Sequence, residues 1–162
     1  MNSRIVVGVS GSMASADALG WAAEEAARLQ AQLSVVRAWH PEQLAPYADP
    51  SGHPDAVQLR QDAERGLAAA LLEAFGTETP ASIVCEVAEG VAERVLVDRS
   101  EVADLLVLGA TSVPTVVGRS FGPVIRSCLS RAHCPVVVIG PEGLAGHHDR
   151  EARGSSLVPA GI

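Results

Sequence analysis

The residues that could do chemistry lie in a loop between two apolar segments in the second half of the chain. An apolar run ends at Gly109, a loop of small residues follows, and a helix is predicted to begin near Gly122. Short apolar runs bounded by Gly and Pro are typical of strands buried on both faces. A strand that leads into a helix N-terminus can hold phosphate, because the free N–H groups and the helix dipole favour an anion. This stretch therefore predicts an anion-binding turn.

The elements that must position this turn alternate between strands and helices. Strands are predicted at residues 4–9, 32–39, 81–87, 104–108 and 134–139, and helices after Ser15, over 55–75, over 91–99 and from Gly122. Such alternation predicts a parallel α/β sheet with right-handed crossovers and helices on both faces. We expect Ser15 to cap the first helix and Glu24 to pair with Arg28 on its outer face. The Pro-rich residues 40–54 predict a loop.

Composition limits the class of protein. The chain has 162 residues, which fits one domain, and a net charge of −7, which argues against binding nucleic acid or an anionic membrane. No apolar run approaches the ~20 residues of a membrane span, so the expectation is a cytoplasmic protein. There is no Lys, which excludes a Walker A lysine. The three Cys and five His show no metal-ligand spacing, and no metal is expected.

Three motifs resemble the universal stress protein family. Gly109 and Gly122 match the first and last glycines of its nucleotide-binding signature, G-x2-G-x9-G-[ST]. Residues 132–139, Ala-His-Cys-Pro-Val-Val-Val-Ile, resemble the family's A-x-C-P-V-x-V-V strand, and residues 7–12 resemble the end of its first strand. Ser10 stands where the family has an Asp that lies against the nucleoside. Ala38 stands where an adenine-contacting Val is common.

The resemblance implies an open five-stranded parallel sheet of order 3-2-1-4-5, formed by residues 1–142. This order would bring the turns after the first and fourth strands to one crevice, where ligands of such sheets bind. It also implies a homodimer through the strand 135–139, which would otherwise be an uncovered apolar edge. Residues 143–162 are predicted to be a disordered tail. The candidate nucleotide-binding residues are Ser10, Gly11, Ser12, Ala38, Gly109, Ser112, Arg119, Gly122, Pro123 and Val124.

Two departures from the family pattern predict weak ATP binding. Pro123 replaces the Ser or Thr of the signature and, as the first helical residue, removes one N–H and one hydroxyl donor. Each charge-assisted hydrogen bond contributes roughly 1.5–3 kcal/mol, so their loss could weaken binding by about two to four decades. Ser112 replaces the second glycine, which matters if that position needs a positive φ. Arg119 is either a phosphate partner or a solvated loop residue.

Three functions remain open from the sequence. The first is a non-enzymatic, dimeric stress-response protein with weak or degenerate ATP binding and an unknown protein partner. The second is a module in which ATP reshapes the crevice loops and thereby a partner surface. The third is a slow ATPase, which is disfavoured because no general base or metal-binding carboxylate set can be named. Glu86 and Glu89 flank a strand end from which they could reach the crevice, and a paired acid–base role for them is an unsupported alternative.

Overall fold

The computed structural model describes residues 3–40, 55–110, 113–115, 118–140 and 143–148, with only the backbone described for residues 113–115, 118–120 and 143–148. The elements are β1 (Arg4–Gly8), α1 (Met13–Leu29), β2 (Gln32–Trp39), α2 (Ala56–Phe75), β3 (Ile83–Glu89), α3 (Ala92–Ser100), β4 (Leu105–Gly109), β5 (Val113–Thr115), β6 (Gly118–Ser120), α4 (Pro123–Arg131), β7 (Val136–Gly140) and β8 (Gly143–His148). No described helix is both long and apolar enough to cross a membrane.

The main sheet has the strand order β3-β2-β1-β4-β7-β8. Its first five strands are parallel, so the predicted order 3-2-1-4-5 is confirmed, with β7 as the fifth strand. β1 lies in the middle, with Ile5 opposite Leu33 on one side and Leu105 on the other. Winding proceeds from β1 towards β3 in the first half of the chain and towards β7 in the second. The carboxyl ends of β1 and β4 therefore flank the point where the winding direction reverses.

Helices on both faces of the sheet bury two separate apolar clusters. α1 and α2 cover one face, where Val7, Leu19 and Val35 are fully buried. α3 and α4 cover the other face, where Leu106 and Cys128 are fully buried. The low aromatic content, 3% of the residues, is consistent with cores built from Val, Leu, Ile and Ala. Small side chains on α1 let this helix lie close to the central strands, so its N-terminus has a fixed place beside the crevice.

The structure corrects two local predictions for α1. Ser12, and not Ser15, is its N-cap, and the Ser12 side chain accepts a hydrogen bond from the Ser15 amide. The turn therefore ends three residues earlier than predicted, because Ser12 has the extended backbone that a cap needs. Arg28 pairs with Glu25 instead of Glu24, through a 2.9 Å bond from Nε to Oε2. A spacing of three residues brings helix side chains together as effectively as four.

Two further segments differ from their sequence-based predictions. The loop between β4 and α4 contains an antiparallel hairpin, in which β5 pairs with β6. Residues 143–148, which were predicted to belong to a disordered tail, form β8 and pair antiparallel with β7. The edge of β7 presents unpaired backbone N–H and C=O groups, and pairing with β8 satisfies them. The predicted loop at 41–54 and the rest of the tail, 149–162, lie outside the described residues.

Candidate functional site

A crevice of 390 Å³ opens at the carboxyl ends of β1, β2 and β4, beside the N-terminus of α4. Six of the predicted site residues line it: Ser10, Ala38, Gly109, Gly122, Pro123 and Val124. α3 supplies an apolar wall through Ala92 and Leu96, which the sequence did not single out. The two predicted turns thus lie on one crevice. Its volume is within the range of small-molecule sites.

The first turn, residues 10–12, is held by its serine hydroxyls. The Oγ atoms of Ser10 and Ser12 are 3.0 Å apart, within hydrogen-bond distance. The Ser15 hydroxyl donates a 2.8 Å bond to the Ser12 carbonyl, and Ser15 is buried against the crevice. Gly11 has a φ of +83°, in the left-handed region that favours glycine. Of the three predicted residues in this turn, Ser10 lines the crevice, while Ser12 caps α1 and Gly11 makes the turn possible.

Gly109 lies where the end of β4 touches the first turn of α1. A Cβ atom at this position would be 2.0 Å from the Ala14 carbonyl oxygen and 2.6 Å from the Ser15 nitrogen. These are backbone atoms, which cannot turn aside as a side chain can. Glycine is therefore required here for the packing of strand against helix, whether or not a ligand is bound.

The N-terminus of α4 forms the opposite side of the crevice. Gly122 is the N-cap, and Pro123 occupies the first helical position, where its fixed φ suits the helix. The Arg126 amide donates a 3.1 Å bond to the Gly122 carbonyl, so the helix is intact after the proline. The amides of Val124 and Ile125, at the second and third helical positions, are the backbone donors that remain for an anion.

One crevice residue that the sequence analysis missed is Arg37, near the end of β2. Of the described crevice-lining residues, it is the one with a titratable side chain, and its guanidinium lies against Gly66 of α2, on the face of the sheet that also bears Val35. Its Nη1 atom is buried and has no hydrogen-bond partner among the described residues. The signal that could have found it is an arginine within the otherwise apolar strand 33–39. A cation inside such a strand must leave the core at a strand end or find a partner.

The two candidate glutamates do not reach the crevice. Glu86 binds Arg99 on α3, through a 2.8 Å bond from Nε to Oε2, and this hydrogen bond lowers the pKa of Glu86. Neither Glu86 nor Glu89 lines the crevice. Within the described ranges, no group of three or more His, Cys, Asp or Glu residues could hold a metal ion. Ser112 lies outside the described residues, and for Arg119 only the backbone, in β6, is described.

The sequence of residues 1–140 matches the model of the universal stress protein family. The chain belongs to this family. Among curated relatives, the universal stress protein Rv2623 of Mycobacterium tuberculosis is 32% identical over 152 residues, which cover 91% of this chain and 51% of the relative. This universal stress protein chain therefore spans about half the length of that relative.

Two solved structures of universal stress proteins share the fold. One, in complex with cAMP, has a TM-score of 0.60 and 24% identity, covering 85% of this chain and 96% of the other. The second, from Archaeoglobus fulgidus in complex with dAMP, has a TM-score of 0.59 and 23% identity, covering 84% and 96% respectively. At these identities the likeness is one of fold, and it agrees with the parallel order of β3, β2, β1, β4 and β7.

Proposed function

We propose that this universal stress protein binds an adenine nucleotide weakly in its crevice and acts as a non-enzymatic stress-response protein. The observation that carries the proposal is the meeting of the Ser10–Ser12 turn, Ala38 and the N-terminus of α4 on one crevice. Proteins of the same fold were crystallised with cAMP and dAMP, which supports an adenine nucleotide as the class of ligand. ATP is included in that class.

Weak binding follows from the donors at α4. Pro123 contributes no N–H, so an anion at this helix N-terminus has the Val124 and Ile125 amides and no hydroxyl from the first helical residue. Each missing charge-assisted hydrogen bond reduces the binding free energy by roughly 1.5–3 kcal/mol. A triphosphate needs more such donors than a monophosphate. We therefore expect ATP to gain little affinity over AMP.

The absence of catalysis is supported by the chemistry of the lining. Of the described residues, those that line the crevice include no carboxylate and no histidine. A general base must lie within hydrogen-bond reach of the proton that it takes, and the side chains lining this crevice supply none at neutral pH. This favours the binding protein over the slow ATPase. The second candidate, in which the nucleotide reshapes a partner surface, is favoured by the hairpin of β5 and β6, which lies between the crevice elements β4 and α4.

We also propose that the chain forms a homodimer through residues 135–139, which requires that the edge of β7 be free. β8 pairs with β7 from Val136 to Gly140, so this edge is occupied within one chain. A dimer through β7 would require β8 to leave. Residues 143–148, Gly-Leu-Ala-Gly-His-His, include two glycines and no β-branched residue, a composition that pairs weakly as a strand.

Isothermal titration of the purified chain with AMP and ATP, with and without Mg²⁺, tests the proposal. We expect dissociation constants weaker than about 10 μM, which corresponds to roughly −6.8 kcal/mol. Pro123→Ser restores a donor and a hydroxyl, and Ser112→Gly restores the second signature glycine; together they should tighten ATP binding at least ten-fold. Val102→Ser, at an exposed position that does not line the crevice, serves as a control and should change nothing.

A wild-type dissociation constant below about 10 μM for ATP would contradict weak binding. If neither AMP nor ATP binds at any accessible concentration, the proposed ligand class is wrong. If an activity that releases phosphate from ATP co-elutes with the protein in size-exclusion chromatography, the ATPase is favoured instead. The same chromatography with light scattering measures the oligomeric state, and comparison with a chain truncated after residue 142 tests whether β8 opposes the dimer.

A further inference from the structure

The start of α4 offers a phosphate group two backbone donors. The first amides of a helix have no acceptor within the helix, so a ligand can use them. Pro123 has no N–H at the first position, which leaves the amides of Val124 and Ile125, and both residues line the crevice. α1 and α2 begin with residues whose side chains cap the first turn, whereas Gly122, the N-cap of α4, has no capping side chain. The fold therefore does not use these two amides.

No cationic side chain of the described residues faces a phosphate at α4. Arg37 is the one charged residue among those that line the crevice, and its guanidinium lies against Gly66 on the α2 side of the sheet. The other described lining residues carry no formal charge and no carboxylate that could hold Mg²⁺. An anion at α4 is therefore attracted by the helix N-terminus, which is equivalent to roughly half an elementary charge. This partial charge balances one negative charge better than two.

A negative charge lies beside the crevice on α3. Glu93 is in the first turn of this helix, directly after the crevice-lining Ala92, and it is partly buried. α3 packs against α4. Burial raises the pKa of the Cys128 thiol on α4 to about 12, Arg131 lowers it, and the Glu93 carboxylate raises it. The electrostatic influence of Glu93 thus extends to α4, where it repels a second negative charge on a ligand.

We propose that the crevice selects a phosphodiester over a phosphomonoester, and that Glu93 is the residue that disfavours the second negative charge. This inference rests on the proposed function, because it specifies the kind of phosphate group on the adenine nucleotide. A phosphodiester has two non-bridging oxygens that share one charge, and the two free amides of α4 match them. A phosphomonoester has three such oxygens and nearly two charges at neutral pH. Its third oxygen has no donor among the described residues, and an unpaired charged oxygen costs binding free energy.

The size of the effect follows from Coulomb's law. The axes of packed helices are about 8–10 Å apart. A unit charge at roughly 10 Å changes an affinity by about 4- to 15-fold per unit of ligand charge when the effective dielectric constant is about 20–40. The methyl ester of AMP has one charge and AMP has two, on otherwise the same phosphate group. We therefore expect the ester to bind about 4- to 15-fold more tightly than AMP.

Isothermal titration of wild type and Glu93→Gln with adenosine, the methyl ester of AMP and AMP tests the inference at pH 7.5 and low ionic strength. The ratio of the dissociation constants of AMP and its ester should fall in Glu93→Gln by about the same 4- to 15-fold, while adenosine affinity does not change. Glu101→Gln makes the same change of charge at the other end of α3, roughly 12 Å along the helix axis. This control should keep the wild-type ratio.

The salt dependence of wild type supplies a second test that needs no variant. The Debye length is about 10 Å at 0.1 M salt, so added salt screens the repulsion between Glu93 and the ligand. The preference for the ester should shrink as the salt concentration rises from about 0.02 to 0.5 M. A preference caused by the methyl group itself would not shrink. If Glu93→Gln does not fold, as judged by circular dichroism, the salt dependence alone decides.

The outcomes separate this inference from the proposed function. If AMP binds wild type as tightly as its ester, or more tightly, the inference is wrong and the proposed function stands. Arg119, of which only the backbone is described, would then be the candidate for the missing donor. If Glu93→Gln keeps the wild-type ratio, or weakens all three ligands by the same factor, the inference is also overturned. If none of the three ligands binds wild type, the proposed function is wrong and the inference falls with it.

Discussion

Replacing Gly109 with alanine places a methyl group where β4 meets the first turn of α1. The new Cβ would be 2.0 Å from the Ala14 carbonyl oxygen and 2.3 Å from the Ala14 carbonyl carbon. Ordinary contacts between such atoms are about 3.5 Å, so the two backbones must separate by roughly 1.5 Å. No rotation of a side chain can relieve the contact, because the atoms involved belong to the backbone.

The cost of this separation follows from what α1 packs against. Ala18, Leu19 and Ala22 of α1 are fully buried on the sheet, so the helix cannot tilt without opening the cluster beneath it. Overpacking of a well-packed core destabilises by about 1–3 kcal/mol, and a backbone contact belongs at the upper end. A loss of about 3 kcal/mol lowers the melting temperature of a domain of this size by about 6–12 °C.

Thermal and urea unfolding, followed by circular dichroism, measure this loss. Gly122→Ala is the matched control, because it changes the other signature glycine at a position where an added Cβ meets nothing within 4 Å. Its cost is that of a poorer N-cap, about 0.5–1 kcal/mol. If Gly109→Ala lowers the melting temperature by no more than the roughly 1–4 °C expected of the capping effect in Gly122→Ala, the packing explanation for Gly109 is refuted.

Three further predictions concern the rest of the fold. Cys85 on the edge strand β3 is exposed while the other two cysteines are buried, so Ellman's reagent should titrate one thiol in the native protein and three in urea. The Arg99 hydrogen bond lowers the pKa of Glu86, so the pair stabilises the fold above the usual pKa of 4.5 and its contribution is lost as the pH falls through the lower folded value. Glu86→Gln should therefore destabilise by less than about 1 kcal/mol at pH 7, as expected for a partly exposed pair, and have no effect near pH 2. Leu19→Ala, at a fully buried site, should cost about 2–5 kcal/mol in urea unfolding, whereas Leu72→Ala, at a side chain that is 58% exposed, should cost no more than about 0.5 kcal/mol; equal costs would contradict the assigned burial.

The order of strands and helices along the chain could be predicted because each segment has its own spacing of apolar residues. β2 matches its predicted range, residues 32–39, and Asp55 caps α2 at the predicted start. The other strand ends differ by one or two residues, since the apolar Val9 follows the end of β1 and Gly140, at the end of β7, has no apolar side chain to mark it. The spatial order of the strands came from the family resemblance, because periodicity alone does not say which strands are neighbours.

What could not be predicted depends on contacts between distant segments. Nothing in the composition of residues 143–148 indicates a strand, and their pairing depends on the open edge of β7. Arg37 was missed for a similar reason. The sequence shows a cation in an apolar strand, but the space that its guanidinium occupies depends on Gly66, which is nearly thirty residues away. Such a position is recognised only after β2, α2 and the first turn have been brought together.

The two signature glycines carry information about folding, and this changes how the family pattern should be interpreted. Gly109 is required by the contact of β4 with α1, and Gly122 has the extended backbone of an N-cap. A chain with this fold needs the first, and benefits from the second, even when no nucleotide is present. The glycine spacing therefore indicates that the crevice is present. The affinity for a nucleotide depends instead on positions that packing does not constrain. Pro123 fits the helix and removes donors that a phosphate group could use. It follows that a family member can keep its glycine frame, which packing requires, while it loses donors for a phosphate group.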